Sequence, residues 1–176
     1  MRWTPFKYQG QEYDLTHLHH ETASYFQPAK GSNPPRGYRV DIIYSLHCFT
    51  REIGSDRMDS ELCYSDSRET RHFDFKRHAL SFHLPGIIKG LMGRTCFQAK
   101  NDNYLTIAQV DRDGNQIDYE IYFSVSRSSK PGVVNLYVQS AYSRDEYHRA
   151  NKTSPAKLNE IPFAIILFKR MFTLTI

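Results

Sequence analysis

The sequence predicts a single α+β domain in which an antiparallel β-sheet packs against one or two central helices. Two alternating runs, Tyr104–Val110 and Ile117–Val125, flank an Asp-Gly pair, which is a strong β-hairpin signal. A helical pattern occupies only the middle of the chain, and strand-like runs lie on both sides of it without a repeated βαβ alternation. The aromatic content of 14%, mostly Tyr and Phe, also favours strands.

Residues 1–66 form the N-terminal part of this predicted domain and contain strands and loops. Residues 5–15 alternate loosely around a glycine, which predicts a small hairpin. Residues 28–37 contain several prolines and glycines and are predicted to form a surface loop. Tyr38–Thr50 is the strongest strand candidate here, because apolar side chains recur at every second position.

Residues 67–94 form the predicted helical part. A first helix is expected over residues 68–84, where apolar residues recur at helical spacing at Phe75, Ala79 and Phe82. Asp74 is a candidate N-cap within this segment. Pro85 is expected to stop the first helix and to suit the first turn of a second one, which Gly93 closes.

Residues 95–176 are predicted to form a meander of about four antiparallel strands. The hairpin around the Asp-Gly pair supplies two of them, and a turn near residues 128–132 leads into the next. Residues 144–162 are polar and contain prolines, so we expect a mobile connection. Phe163–Ile176 is expected to be the last strand.

The length and composition of the chain indicate the general class of protein. A chain of 176 residues can bury a core without disulfides or metal. Its three cysteines are widely spaced, which indicates reduced thiols. The N-terminus has no apolar run of the signal-peptide kind, and no stretch is long enough to span a bilayer, so we expect a cytoplasmic protein without a membrane partner.

No motif for a cofactor is present, and we expect none to be bound. The chain has no phosphate-binding glycine loop, no dinucleotide fingerprint and no zinc-protease motif. The segment His17–His20 is rich in histidine, but no further ligands follow at a matching spacing, so we expect no metal site. The odd-numbered His17 and His19 would share a face only in a strand.

The positive charge is concentrated between Arg68 and Arg94. The whole chain carries +4, and this segment alone holds six Lys or Arg residues against two acids. Such a segment is typical of a protein that binds a phosphate-bearing partner such as RNA, although a solvated helix face has the same pattern. The candidate nucleic-acid-binding residues are Arg68, Arg71, Lys76, Lys89 and Arg94.

Two sets of residues are candidates for catalysis. The helix carries Arg77 and His78, and histidine suits acid–base chemistry while arginine binds phosphate through two hydrogen bonds. The late strand ends with Ser140, Tyr142 and Arg144 on one face. The structural alternatives are a hydrogen-bonded histidine in the fold and a strand that turns polar as it leaves the core.

A third position, in the strand Tyr38–Thr50, holds His47 beside Cys48. Neighbouring strand residues face opposite sides, so the two cannot form a nucleophile–base pair. We expect Cys48 to be a packed thiol and His47 to line the other face.

A helix with His and Arg followed by a meander ending in Ser-x-Tyr-x-Arg resembles the small bacterial ribonuclease toxins of the barnase–RelE–colicin superfamily. The likeness covers roughly residues 68–176 and is one of layout. It implies RNA cleavage without metal, with Arg77, His78, Ser140, Tyr142 and Arg144 around the scissile phosphate. The 2′-OH would attack the phosphate, a histidine would move the proton, and arginines would stabilise the charge.

The function expected from these features is therefore that of a metal-independent, RNA-directed nuclease of toxin type, with endoribonuclease as the expected enzyme class. A non-enzymatic regulatory or inhibitor protein, encoded by a phage or mobile element, would use the same basic segment to bind nucleic acid or a protein. In either case a neutralising or target protein is a further possible partner. A third possibility is a domain that binds a small ligand between helix and sheet.

Overall fold

The computed structural model describes residues 2–54, 59–99, 103–112, 115–143 and 158–172. It contains one seven-stranded sheet, one three-stranded sheet and one two-stranded hairpin, with three α-helices and several 3₁₀ turns in these residues. The predicted α+β class is confirmed. No helix within the described ranges is long and apolar enough to cross a membrane.

The N-terminal hairpin is confirmed, and its two strands are β1 (Phe6–Tyr8) and β2 (Gln11–Tyr13). The turn residues Gln9 and Gly10 both have positive φ angles, of 48° and 78°. Positive φ at both positions matches a two-residue hairpin turn of type I′, where Gly is favoured. Phe6 carries the hairpin into the core, because its ring stacks on Phe73 with centroids 4.1 Å apart.

The main sheet has the strand order β12-β8-β9-β10-β11-β4-β3. Strands β8 to β11 are neighbours in sequence and pair antiparallel. The bounds are β3 (Glu21–Gln27), β4 (Arg36–Tyr44), β8 (Thr95–Gln98), β9 (Asn103–Arg112), β10 (Asn115–Arg127), β11 (Val133–Ser143) and β12 (Asn159–Pro162). The tip of the predicted Asp113-Gly114 turn lies outside the described residues.

One pair in this sheet is not antiparallel, which corrects the sequence prediction. β4 and β11 run parallel, with Val40 opposite Val134 and Ile42 opposite Leu136. All four of these side chains are buried. Two strands whose apolar faces match can pair in this direction because the long chain segment between them supplies the crossover.

The predicted strand Tyr38–Thr50 is too long at its C-terminal end. β4 ends at Tyr44, and a 3₁₀ turn at Leu46–Cys48 follows. The hydroxyl of Ser45 caps this turn by accepting the N–H of His47, and it donates to the carbonyl of Gln139 at 2.5 Å. A side chain that binds backbone locally offers the chain an alternative to the strand.

The predicted helix over residues 68–84 begins later than expected. Residues 70–73 are a strand of the small sheet, which consists of β5 (Thr50–Arg51), β6 (Cys63–Ser65) and β7 (Thr70–Phe73). Asp74 then caps α1 (Phe75–Ser81) by accepting the N–H groups of Lys76 and Arg77, as predicted. Pro85 lies in the first turn of α2 (Leu84–Lys89), also as predicted.

The apolar stripe used to predict α1 is not its buried face. Phe75 and Phe82 are 37% and 53% exposed, whereas His78, Leu80 and Ser81 are buried. Phe75 contacts Tyr13 of the N-terminal hairpin, with ring centroids 5.0 Å apart. The ring of Phe82 stacks on that of His17 in the following turn, with centroids 4.0 Å apart.

The predicted last strand is wrong, because Phe163–Phe172 forms the helix α3. Phe163, Ile166 and Leu167 are buried, while Ile165 is 40% exposed. This i, i+3, i+4 spacing places one face of a helix on the sheet, where the ring of Phe163 meets Phe123 and Tyr25. A strand would have placed Ile166 and Leu167 on opposite faces.

Candidate functional site

The site begins with Arg77, which α1 directs towards the end of the main sheet. Its Nη1 donates to the carbonyls of His47 at 3.2 Å and Thr50 at 2.7 Å. Its guanidinium carbon lies 5.2 Å from the ring centroid of Tyr142 on β11. Burial lowers the pKa of Arg77, but the group stays charged at neutral pH. The structure therefore brings two of the predicted residues, Arg77 and Tyr142, together.

Tyr142 belongs to one face of the main sheet, which we call the tyrosine face. Its members on β10 and β11 are Glu120, Tyr122, Tyr137, Ser140 and Tyr142, because the register sets them on the side opposite the apolar core. The rings of Tyr122 and Tyr142 stack with centroids 5.7 Å apart and 20° between their planes.

A β-bulge shapes this face. The register shifts between Tyr122 and Phe123, so Gln139 and Ser140 together oppose Tyr122. The carbonyls at the bulge accept hydrogen bonds from Ser45, whose N–H binds Val138 and whose hydroxyl binds Gln139. This contact fixes the 3₁₀ turn of His47 against the strand that carries Tyr142.

A buried carboxylate lies beside the stacked pair. Tyr122 donates its hydroxyl to Glu120 at 2.8 Å, and Glu120 is only 1% exposed. Burial, followed by hydrogen bonding to Tyr142 and Glu120, raises the pKa of Tyr122 well above its ordinary value. Tyr122 is therefore a neutral hydrogen-bond donor at physiological pH.

A second arginine–tyrosine contact occurs farther along β11. Nη2 of Arg68 lies 3.3 Å from the hydroxyl of Tyr137, and the Arg68 side chain is 56% exposed. Tyr137 and Tyr142 lie about 13 Å apart at the usual rise of a strand, once the bulge is taken into account. The tyrosine face thus carries two Arg–Tyr pairs, Arg68–Tyr137 and Arg77–Tyr142.

His47 and Glu69 form a close pair that adjoins both contacts, since Arg77 binds the carbonyl of His47 and Glu69 follows Arg68 in sequence. Nε2 of His47 lies 2.7 Å from Oε1 of Glu69, and both side chains are 36% exposed. Arg71 holds the other carboxylate oxygen at 3.4 Å and donates Nε to the hydroxyl of Thr50. The hydrogen bond from His47 is the first cause that lowers the pKa of Glu69, and burial opposes it.

Three carboxylates accompany the three arginines, and local contacts occupy each of them. Asp66 accepts the backbone N–H groups of Arg68 and Glu69, and its other oxygen meets the Arg68 guanidinium at 3.1 Å. Asp74 caps α1, and Glu69 binds His47. The formal charges of these three arginines and three carboxylates therefore balance.

His78, the predicted acid–base residue, points elsewhere. It is buried, and its Nε2 lies 2.8 Å from the backbone carbonyl of Asp14. Its ring packs among Tyr13, Phe73 and Phe82. The geometry corresponds to the structural alternative, that of a hydrogen-bonded histidine in the fold.

The remaining predicted residues are dispersed. Lys89 forms an ion pair with Glu21 at 2.7 Å, on the opposite edge of the sheet from β12. Arg94 lines a shallow cleft beside Glu160, and Lys76 is exposed on α1. Of the predicted nucleic-acid-binding residues, Arg68 contacts Tyr137 on the tyrosine face, and Arg71 contacts Glu69 of the His47–Glu69 pair. Arg144 lies outside the described residues.

The histidine-rich segment is used for internal contacts. Nε2 of His17 lies 2.7 Å from the hydroxyl of Ser81, and His19 binds the carbonyl of Trp3. Within the described ranges no group of three or more His, Cys, Asp or Glu residues is arranged to hold a metal. Cys48 is fully buried and its pKa is raised by burial to about 12, so it is the packed thiol that the sequence predicts.

The comparison with known proteins identifies the family. A model of the YjaZ family matches residues 5–171. The chain belongs to the YjaZ family. It is 33% identical over 150 residues to Protein YjaZ of Escherichia coli K12, and the match covers 82% of each chain. No solved structure matches.

Membership of the YjaZ family corrects the resemblance suggested by the layout of the C-terminal part. The match spans nearly the whole chain, and nothing in it connects the protein to the barnase–RelE–colicin superfamily. The physical reason for the false likeness is clear in the fold: the last predicted strand is a helix, and β4 inserts beside the meander as a parallel strand. The expectation of a toxin came from that layout and loses this support.

Sequence reasoning missed three residues of the site: Glu69, Tyr122 and Tyr137. Tyr122 and Tyr137 stand at alternating positions of predicted strands, opposite the apolar face, and this alternation could have found them. Glu69 had no such signal, because its contact with His47 joins two loops 22 residues apart.

Proposed function

We propose that this YjaZ-family protein binds single-stranded RNA across the tyrosine face. The observation that carries the proposal is the presence of two Arg–Tyr pairs on one face of the sheet, Arg68–Tyr137 and Arg77–Tyr142. Single-stranded nucleic acids bind where bases stack on aromatic rings or guanidinium planes and cations meet the phosphates. This function corresponds to the non-enzymatic, nucleic-acid-binding alternative that the sequence also suggested.

The position of His78 favours binding over the mechanism first expected. A general base must come within hydrogen-bond reach of the proton that it removes. The Nε2 of His78 is occupied by the backbone of Asp14, and its ring is enclosed by aromatic side chains. Of the predicted catalytic residues, His78 therefore does not join Arg77 and Tyr142 around one phosphate, although Arg77 and Tyr142 do meet.

Fluorescence anisotropy with a labelled single-stranded RNA tests this function. Tyr137→Leu removes a half-exposed ring beside Arg68, so we expect affinity to fall about 5- to 150-fold, as base–aromatic stacking contributes about 1–3 kcal/mol. Tyr8→Leu is the matched control, because Tyr8 is a half-exposed tyrosine of the N-terminal hairpin. Equal affinities for the two variants and the parent protein would remove the tyrosine face from RNA binding.

The salt dependence gives a second readout of the same proposal. Two arginines, Arg68 and Arg77, are placed to meet phosphates, which predicts a slope of log K against log salt of about −1.4 for a single strand. Arg68→Gln should reduce the slope by about half. A much steeper slope would indicate binding through the dispersed lysines and arginines instead.

A further inference from the structure

We propose that His47, oriented by Glu69, is a general base that cleaves RNA held on the tyrosine face. The inference rests on the proposed RNA binding and adds a reaction to it. The substrate class is a phosphodiester with a free 2′-OH next to the scissile phosphate. The sequence pattern pointed to His78 for this chemistry, and the structure assigns it to a different histidine.

The contact with Glu69 selects the tautomer of His47. A carboxylate only accepts hydrogen bonds, so the 2.7 Å contact to Nε2 places the imidazole proton there. The lowered pKa of Glu69 keeps the carboxylate ionised at neutral pH. Nδ1 of His47 then carries the lone pair, and it has no hydrogen bond within the described residues. A histidine fixed in this way by a carboxylate is arranged as a base.

The orienting carboxylate is itself held on two sides. Arg71 binds its Oε2 at 3.4 Å, and the backbone N–H of Glu69 donates to Asp66 at 3.0 Å. The backbone of His47 is fixed by the hydroxyl of Ser45 and by Arg77, which binds its carbonyl. Such support preorganises a catalytic group, and its cost in entropy is met during folding.

The pair is linked to both Arg–Tyr contacts of the binding face. The carbonyl of His47 binds Arg77, whose guanidinium meets Tyr142. Glu69 follows Arg68 in sequence, and Arg68 meets Tyr137. The imidazole, whose side chain is 36% exposed, is thus one contact away from each of the two pairs.

The reaction is a transesterification that needs no metal, oxidant or cofactor. Nδ1 of His47 takes the proton of the 2′-OH while the 2′ oxygen forms a bond to the adjacent phosphorus. The bond from phosphorus to the 5′ oxygen breaks, and its electron pair goes to that oxygen, which takes a proton from water. His47 then returns its proton to the hydroxide formed. The products are a 2′,3′-cyclic phosphate and a 5′-OH.

The arginines stabilise the charge that builds on the phosphoryl oxygens. Arg77 uses Nη1 for two carbonyls, and its other N–H groups make no hydrogen bond within the described residues. Arg71 uses Nε and Nη1 for hydrogen bonds to Thr50 and Glu69, and its Nη2 makes none within the described residues. Donors fixed in a partly buried site are the usual source of such stabilisation.

The test measures binding and cleavage separately on one labelled RNA with EDTA present. We expect the parent protein to produce fragments ending in 2′,3′-cyclic phosphate. His47→Gln should lower the cleavage rate at least 100-fold, the usual contribution of a general base, while RNA affinity changes less than about threefold. Glu69→Gln should lower the rate by a smaller factor because it orients the base. His83→Gln, at an exposed histidine, is the control and should cleave normally.

A variant of the substrate makes the test independent of whether the protein variants fold, because it is used with the parent protein. The same oligonucleotide with 2′-deoxy residues should bind the parent protein and remain intact. RNA that is bound but never cut would overturn this inference and leave the binding function standing. Absence of binding would overturn both, and normal cleavage by His47→Gln would remove the assignment of the base.

Discussion

His17 is a residue whose protonation the fold opposes. It is half-buried, it stacks on Phe82 with centroids 4.0 Å apart, and its Nε2 meets Ser81. Burial, followed by repulsion from His78, lowers its pKa from 6.5 to about 4. The unfolded chain therefore binds a proton near pH 6.5 that the folded protein does not accept until about pH 4.

This shift predicts that stability falls as the pH drops from about 6.5 towards 4. Allowing for solvent screening at a half-buried site, we expect the free energy of unfolding to fall by about 1 kcal/mol between pH 7 and pH 5 because of His17. Urea unfolding of His17→Gln should lack that part of the pH dependence. His83→Gln, at an exposed histidine, should keep it. An identical pH dependence in His17→Gln would contradict the account of this residue.

The role of a single residue could be predicted from the sequence only where its neighbours in sequence indicated that role. Asp74 as a helix cap and Cys48 as a packed thiol follow from neighbours in sequence, and both are confirmed. The role of His47 depends on Glu69, and that of His78 on the carbonyl of Asp14. Such distant contacts are set by tertiary packing and leave no local signal in one sequence.

Among the elements, α1 matters most for the site because it holds Arg77. Its cap, Asp74, satisfies two backbone N–H groups that the short helix would otherwise leave unpaired. Asp74→Ala should lower the free energy of unfolding by about 1 kcal/mol in chemical denaturation. Asp74→Asn keeps a side-chain acceptor and should recover most of that loss. Equal losses for the two variants would mean that charge, and not capping, is the stabilising feature.

The helix α3 can be distinguished from the predicted strand by three neighbouring residues. Ile166→Ala and Leu167→Ala each create a cavity under the helix and should cost about 2–4 kcal/mol. Ile165→Ala is the control and should cost much less, because Ile165 is 40% exposed. Thermal or urea unfolding measures all three. A large loss at Ile165 and Leu167 with none at Ile166 would indicate a strand.

Elements with strict alternation were predictable, and short apolar runs were not. β9 and β10 alternate over many residues, and the hairpin that they form agrees with the prediction. The run Phe163–Phe168 is continuously apolar, so it fits a buried strand or one face of a helix equally well. The spacing of Phe163, Ile166 and Leu167 was the available signal for a helix.

At the scale of the whole molecule, the fold sets the tyrosine face against the small sheet. The parallel pairing of β4 with β11 brings the turn of His47 to the strand that carries Tyr137 and Tyr142. The small sheet brings Arg71, and the loop before β7 brings Arg68 and Glu69. The sequence named Arg68, Arg71 and Tyr142 as candidates but not the packing that brings them together, because that packing depends on a crossover between strands about 90 residues apart.

Photocrosslinking of a 4-thiouridine RNA, followed by mass spectrometry of the peptides, tests the central claim most directly. If RNA lies on the tyrosine face, the crosslinked residues will be Tyr137, Tyr142 or their neighbours on β10 and β11. Crosslinks confined to Lys89, Arg94 or the outer side of α3 would show that RNA binds elsewhere and would contradict the account.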